Sequence, residues 1–293
     1  MRDQSITGRT RLVGLLGSPV AHSLSPAIHN HVYATLGLPL AFVPLAVSSE
    51  NLHVAVRALR ACGFAGANAT IPHKRAVLPL CDVVSPLSAV TKTVNTLYFR
   101  DNLLHGTTTD FSGLLAALGG MGHNPKGGRI VILGNGGTAR TFAFAFAREK
   151  IPARLSLVGR DEARVRALAE EASAATGFPV SFELFSSQGL ADVMRECTLC
   201  INCTPVGMHP NTAASPLDRA FLHKDITVFD TVYNPRQTML CRDAERAGCA
   251  WSGGLHMLVH QALASMKFWT GREIDPSIIN MDELAGLAET AAG

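Results

Sequence analysis

A chain of 293 residues is longer than one ordinary folding unit needs, so two domains are expected, each large enough to bury its own core. Its 47% apolar and 17% charged residues describe a globular composition, and a net charge of +3 with no Lys/Arg block excludes nucleic acid as a partner. The N-terminal segment carries an early acidic residue, and no window approaches the ~20 apolar residues of a membrane span, so neither a secretory signal nor a membrane partner is expected and the protein is read as cytoplasmic.

Strands and helices alternate from the start: strand Leu12 to Leu16, helix Ser25 to Leu36, strand Ala41 to Val47, helix Glu50 to Ala61 and strand Phe64 to Ala69. The pattern renews itself after Asp110, with helix Ser112 to Leu118, strand Arg129 to Leu133, helix Thr138 to Glu149, strand Leu155 to Val158 and helix Asp161 to Ala175. Further strands are expected at Val180 to Leu184, Thr198 to Ile201 and Thr227 to Phe229. Such alternation implies an α/β fold of parallel sheets covered by helices on both faces. The glycine-rich run from Gly119 to Gly128 is the expected entry to a second sheet.

Several segments carry candidate chemistry. In GSPVAHSLSPAIHN, Gly17 to Asn30, the hydroxyls of Ser23 and Ser25 lie between a strand end and a helix start, where they could hold a carboxylate with the help of helix N–H groups. Ser25 also suits the N-cap of a helix beginning at Pro26. Lys74 closes the run NATIPHK and Asp110 closes GTTTD; together they form a candidate acid/base pair upstream of a glycine loop. His22, His29 and His73 read as satisfied polar residues.

The loop itself is Gly134-Asn135-Gly136-Gly137-Thr138-Ala139, between a buried strand and a helix. Glycines let the backbone approach a dinucleotide pyrophosphate, and the helix N-terminus offers free N–H groups. At the end of the next strand, Arg160 and Arg164 could flank the 2′-phosphate of NADP, whereas Asp161 suits either the ribose of NAD or the cap of the following helix. NADP or NAD is the expected cofactor, with NADP favoured.

Seven cysteines, an odd number mostly scattered, argue against a disulfide framework. Thr198 to Cys203 is an apolar run that suits a buried parallel strand, alternation would point Cys197 and Cys200 to opposite faces, and no second ligand pair lies near, so no metal is expected. The stripe Phe142, Phe144, Phe146 reads as packing.

In order and spacing, GSPVAHSLSPAIHN, NATIPHK, VNT at Val94 to Thr96, Thr109-Asp110, GNGGTA, INCTPVGM, DTVYNPRQT and GGLHMLVHQ resemble the shikimate/quinate dehydrogenase family over Leu12 to Gly271. That resemblance implies an N-terminal α/β domain, residues 1–109, for the ring acid, and a Rossmann-type domain, residues 110–255, for the cofactor. C-terminal helices in 256–293 would return to the first domain. It implies that Ser23 and Ser25 hold the carboxylate and that Lys74 and Asp110 act on the ring hydroxyls. Asn68, Thr70, Asn95, Tyr233 and Gln261 would be further substrate contacts. Gly134, Gly136, Gly137 and Ala139 would serve the pyrophosphate, Arg160 and Arg164 the adenosine phosphate, and Thr204, Met208, Gly254 and Met257 the nicotinamide. The implied partner is a small ring carboxylic acid, shikimate, 3-dehydroshikimate or quinate, bound by a monomer or homodimer. Oxidising its secondary alcohol requires a group that takes the hydroxyl proton as hydride leaves. Thr108 stands where the family pattern has Asn, Gly159-Arg160-Asp161 replaces Asn-Arg-Thr, Lys92-Thr93 precedes Val94-Asn95-Thr96 in place of Gly-Ala, and Cys203-Thr204-Pro205 replaces Ala-Thr-Ser. None of these departures touches Lys74 or Asp110, so the reaction type is better determined than the choice among shikimate, quinate and an amino analogue.

Overall fold

The computed structural model describes residues 6–281, so the end of the returning segment, 282–293, lies outside the described residues. Residues 6–113 and 258–281 build one compact unit, and residues 114–257 build a second.

The first unit runs β1 (Arg11–Gly17), α1 (Ser25–Thr35), β2 (Leu40–Ala46), α2 (Leu52–Ala61), β3 (Gly66–Ala69), β4 (Val83–Val84), α3 (Pro86–Thr91), β5 (Thr96–Arg100) and β6 (Leu103–Thr107). Its sheet has the order β2-β1-β3-β5-β6-β4. β1 pairs parallel with both β2 and β3, and its continuous apolar run is buried, as suits a central strand covered on both faces. An all-parallel sheet is not what forms, however: β5 runs antiparallel to β3 and to β6. The reversal from β5 to β6 lies at Asp101 and Asn102, whose φ values of 51° and 61° form a two-residue hairpin turn that needs no crossover helix.

The second unit follows α4 (Asp110–Gly120), which spans the boundary, with β7 (Arg129–Leu133), α5 (Gly137–Arg148), β8 (Arg154–Gly159), α6 (Glu162–Thr176), β9 (Val180–Leu184), α7 (Gly189–Arg195), β10 (Leu199–Asn202), β11 (Thr227–Asp230), α8 (Met239–Arg246) and β12 (Ala250–Ser252). Its sheet, β12-β11-β10-β7-β8-β9, is parallel throughout. Read from β9, this is the strand order of the dinucleotide-binding fold, whose direction of winding reverses between β7 and β10. Phe142, Phe144 and Phe146 are buried in α5. Cys197 precedes β10 instead of lying in it, so strand alternation does not govern it, and its side chain joins Cys200 in one apolar cluster. Burial pushes the Cys197 thiol up to about 12. None of the seven cysteines is in a disulfide.

Helix α9 (Leu255–Thr270) carries the chain back to the first unit. Its Trp269 donates from Nε1 to the Leu97 carbonyl at 2.9 Å, directly over Gly66, where any Cβ would collide with that carbonyl and with the indole nitrogen. Beside it, His29 stacks on Phe42 with ring centroids 4.0 Å apart, and burial pulls its pKa down to about 3. Gly66→Ala should therefore destabilise the protein by about 1–3 kcal/mol, while Gly119→Ala, where a Cβ meets nothing, should not. Urea denaturation of the two variants side by side checks this; equal midpoints would contradict the close approach of α9.

Candidate functional site

In the first unit, Lys74 lies in the turn after β3 and Asp110 is the first residue of α4, where the helix dipole favours a carboxylate. Lys74 Nζ donates to Asp110 Oδ2 at 2.6 Å, with side-chain exposures of 19% and 4%. The other carboxylate oxygen, Oδ1, accepts from Asn95 Nδ2 at 2.8 Å.

The orientation of Asn95 follows from one unambiguous donor. The Thr109 backbone N–H donates to Asn95 Oδ1 at 2.9 Å, which turns Nδ2 towards Asp110, Thr109 Oγ1 and Gln261 Oε1. Gln261, on α9, also donates from Nε2 to the Leu258 carbonyl. Asn68 is buried and half-engaged: Nδ2 is within bonding reach of the Asn95 carbonyl, Thr96 Oγ1 and Ser265 Oγ, whereas Oδ1 has no hydrogen-bond partner among the described residues.

Ser265 escaped sequence reasoning. It is fully buried, one helical turn beyond Gln261, with Oγ within 2.8–3.2 Å of Thr96 Oγ1, the Gln261 carbonyl, Thr109 Oγ1 and Asn68 Nδ2. The i, i+4 spacing from Gln261 was the available signal, since both then face the same strands.

Ser25 is the first residue of α1 and not its cap; Leu24 occupies that position, and the cap-like acceptor is Ser23 Oγ, 3.2 Å from the Ser25 N–H. The Ser25 hydroxyl has no partner among the described residues, and neither does that of Thr70 just beyond β3. Thr108 Oγ1 is buried without a hydrogen-bond partner among the described residues.

The second unit carries the glycine turn at the C-terminal end of β7. Gly134 has φ +107°, and a Cβ there would press on Cys203 and Thr204 at the end of β10. The turn thus opens at the reversal point of the sheet, with Asn135 partly exposed, and Gly137, Thr138 and Ala139 in the first turn of α5, whose N-cap Gly136 supplies no side-chain acceptor. Free N–H groups in that position suit an anionic pyrophosphate. Asp161 caps α6 by accepting from the Arg164 N–H at 3.1 Å, and its Oδ2 is 3.4 Å from Arg164 Nε. Arg160 makes no ion pair among the described residues and lines an open groove of about 900 Å³ with residues 205–214, including Met208. The residues present fit a dinucleotide. Among the described residues no group of three His, Cys, Asp or Glu side chains gathers as a metal would need, and no helix is long and apolar enough to cross a membrane.

At the end of β11, Asp230 is fully buried and accepts from Asn202 Nδ2, the Val232 N–H and Thr238 Oγ1 at 2.9, 3.0 and 2.7 Å. Asn202 Oδ1 in turn accepts from the N–H and hydroxyl of Thr204, so the ends of β10 and β11 form one polar lattice. Tyr233 follows, half-buried, with its phenol pushed up by burial. Gly254 donates its N–H to the Val232 carbonyl, and Met257 is buried in the first turn of α9.

Strand order, glycine turn and polar lattice define the class: a two-unit α/β protein with a Rossmann-type nucleotide-binding unit. Residues 15–97 match the family model described as shikimate dehydrogenase substrate binding domain, and residues 254–280 that of the shikimate 5'-dehydrogenase C-terminal domain. The chain is 40% identical over 279 residues to a shikimate dehydrogenase (NADP(+)) of Methanothermobacter thermautotrophicus, covering 95% of this chain and 96% of that protein. It belongs to the shikimate dehydrogenase family. A shikimate 5-dehydrogenase of Listeria monocytogenes solved with shikimate and NAD superposes with a TM-score of 0.87 at 30% identity, covering 96% of this chain and 97% of that one. The ligand-free 5-ketofructose reductase of Gluconobacter sp. strain CHM43 gives 0.85 at 30% identity, with 97% and 99% covered.

Burial raises the Asp230 pKa from 3.8 to about 6, against the pull of its three hydrogen bonds. Because the folded value exceeds the unfolded one, the folded state holds the proton more tightly, and this contribution to stability is lost as pH rises from about 4 to about 6. A shift of this size corresponds to about 3 kcal/mol. Asp230→Asn, whose amide can face Thr238 Oγ1, should remove that slope from the pH dependence of Tm; an unchanged slope would contradict the assignment.

Proposed function

We propose that the chain catalyses the reversible NADP-linked interconversion of shikimate and 3-dehydroshikimate in the cytoplasm. The observation that carries this reading is the Lys74–Asp110 pair at 2.6 Å, with Asp110 held by the oriented Asn95 amide, in the unit that matches the substrate-binding model. We assign the ring acid to the unit of residues 6–113 and 258–281, and the nucleotide to residues 114–257.

Ser23 and Ser25 hold the carboxylate, the open Ser25 hydroxyl donating to it directly. Thr70, Asn95, Tyr233 and Gln261 contact the ring hydroxyls, and so does Asn68, whose buried Oδ1 has no partner among the described residues while its Nδ2 holds the Asn95 carbonyl. In the reductive direction, Lys74 gives a proton to the ring oxygen as hydride reaches the carbon, and the oxidative direction returns it. Asp110 fixes the amine in line with that oxygen and keeps lone pairs for a neighbouring hydroxyl. NADP, when bound, supplies or accepts the hydride. Gly134 to Ala139 cradle its pyrophosphate, and Thr204, Met208, Gly254 and Met257 surround the nicotinamide.

The preference for NADP rests on the division of labour after β8. Asp161 is taken up by the helix cap, which leaves Arg160, lining the groove, and the exposed Arg164 to meet a 2′-phosphate. Arg160→Ala should raise the KM for NADP about tenfold or more while changing that for NAD little; equal effects would count against the assignment.

Initial rates at 340 nm with shikimate and quinate, each against NADP and NAD, test the whole reading. The expected order places shikimate with NADP first. Faster turnover of quinate with NAD would make the chain a quinate dehydrogenase, and reduction of 5-ketofructose in preference to 3-dehydroshikimate would move the substrate outside the ring acids.

A further inference from the structure

We infer that His73 is a positioning residue that fixes Lys74 relative to the segment bearing Ser23 and Ser25, an inference that rests on Lys74 handling the hydroxyl proton. His73 is fully buried, and its Nε2 lies 2.7 Å from the Val47 carbonyl. A carbonyl only accepts, so Nε2 carries the hydrogen and the ring is held in one orientation. Nδ1 has no hydrogen-bond partner among the described residues.

What the ring bonds to gives the contact its meaning. Val47 follows β2, and its N–H donates to the Gly17 carbonyl at 3.0 Å, where β1 ends and the serine segment begins. The Ser18 N–H donates to the Ile71 carbonyl at 3.1 Å, the Thr70 N–H to Leu16 at 2.9 Å, and the His73 N–H to Thr70 at 2.7 Å. These bonds lace together the C-terminal ends of β2, β1 and β3, which are neighbours in the sheet. The backbone bonds ask little of the side chains; the imidazole is what ties the Lys74 turn to the far strand.

On its other side, the Lys74 carbonyl accepts from the Val94 N–H at 2.8 Å, one residue before the Asn95 that orients Asp110. Lys74 is thus suspended between two anchors. The Val94 anchor sets it against Asp110, and the His73 anchor sets it against the carboxylate-holding hydroxyls. The distance between carboxylate and reacting hydroxyl is fixed in a rigid ring acid, so an amine displaced by a fraction of an ångström no longer meets the hydroxyl once the carboxylate is seated.

The test compares His73→Phe, which keeps a ring but loses the donor, with His73→Gln, whose amide N–H can replace Nε2–H. His73→Phe should lower kcat about 10- to 100-fold, with the KM for shikimate within about threefold and the shape of the pH profile unchanged. His73→Gln should recover most of the rate. A second arm needs no turnover: acylation of Lys74 by acetic anhydride, followed by mass spectrometry, should be faster in His73→Phe than in the wild type and His73→Gln. If the wild type turned over no ring acid, the functional reading would fall while the acylation arm still decided the anchor. If His73→Phe does not fold by circular dichroism, His73→Asn, too short to reach Val47, takes its place. Wild-type kcat and wild-type acylation in the donor-free variant would overturn the inference, as would a lost limb in its pH profile or a failure of His73→Gln to restore the rate.

Discussion

The backbone N–H of Thr109 can only donate, and it donates to Asn95 Oδ1. From that one fixed direction the rest of the site follows. The Asn95 amide presents its N–H groups to Asp110, the carboxylate keeps its second oxygen for Lys74, and the amine is held against it in one direction. Asn68, Thr96 and Ser265 close the arrangement from below, so the amide sits on polar groups that supply its neighbours with partners instead of on apolar core. Buried networks of this kind are valuable only when nearly every member is satisfied, because each unmet group costs about 1–3 kcal/mol. Here Ser265 joins the network from α9, a helix more than 150 residues further along the chain than Asn95, and the one network atom left unmet among the described residues is Asn68 Oδ1. The same helix is docked by the Trp269 indole over Gly66, so packing and polar registration fix it together.

The nucleotide-binding unit is built on a different constraint. There the parallel strand order creates a reversal between β7 and β10, and the polar lattice of Asn202, Thr204 and Asp230 holds the strand ends that border it. Asp230 is costly as a buried carboxylate, and three donors converge on it; its value lies in joining two strand ends and the first turn of α8.

Much of this was legible in the sequence because it is local. The glycine turn after Leu133, the Asp161 cap and the alternation through the second unit depend on neighbours within one or two turns of chain, and local periodicity reports those well. Three features escaped for physical reasons. The hairpin at Asp101-Asn102 looks like an ordinary polar turn, and its consequence, an antiparallel pair inside a mostly parallel sheet, depends on φ values that Asp and Asn adopt only in some contexts. Alternation from the expected strand points Cys197 away from Cys200, but β10 begins only at Leu199, so the residues before it are not bound by that period and both thiols join one cluster. Ser265 has no pattern of its own: a serine in an apolar helix gives no sign of whether its hydroxyl bonds back to the helix or across to another element, and here it does both. Asn68 shows the reverse case, a motif residue whose donors are taken up by the protein itself.

The central claim is that Lys74 transfers the proton of a ring hydroxyl while Asp110 and Asn95 hold it in place. It is tested most directly by Lys74→Ala, with turnover measured beside shikimate binding by calorimetric titration and folding confirmed by circular dichroism. The account predicts that turnover falls by about 100-fold or more while shikimate still binds. Near-normal turnover by a variant that binds shikimate would contradict it.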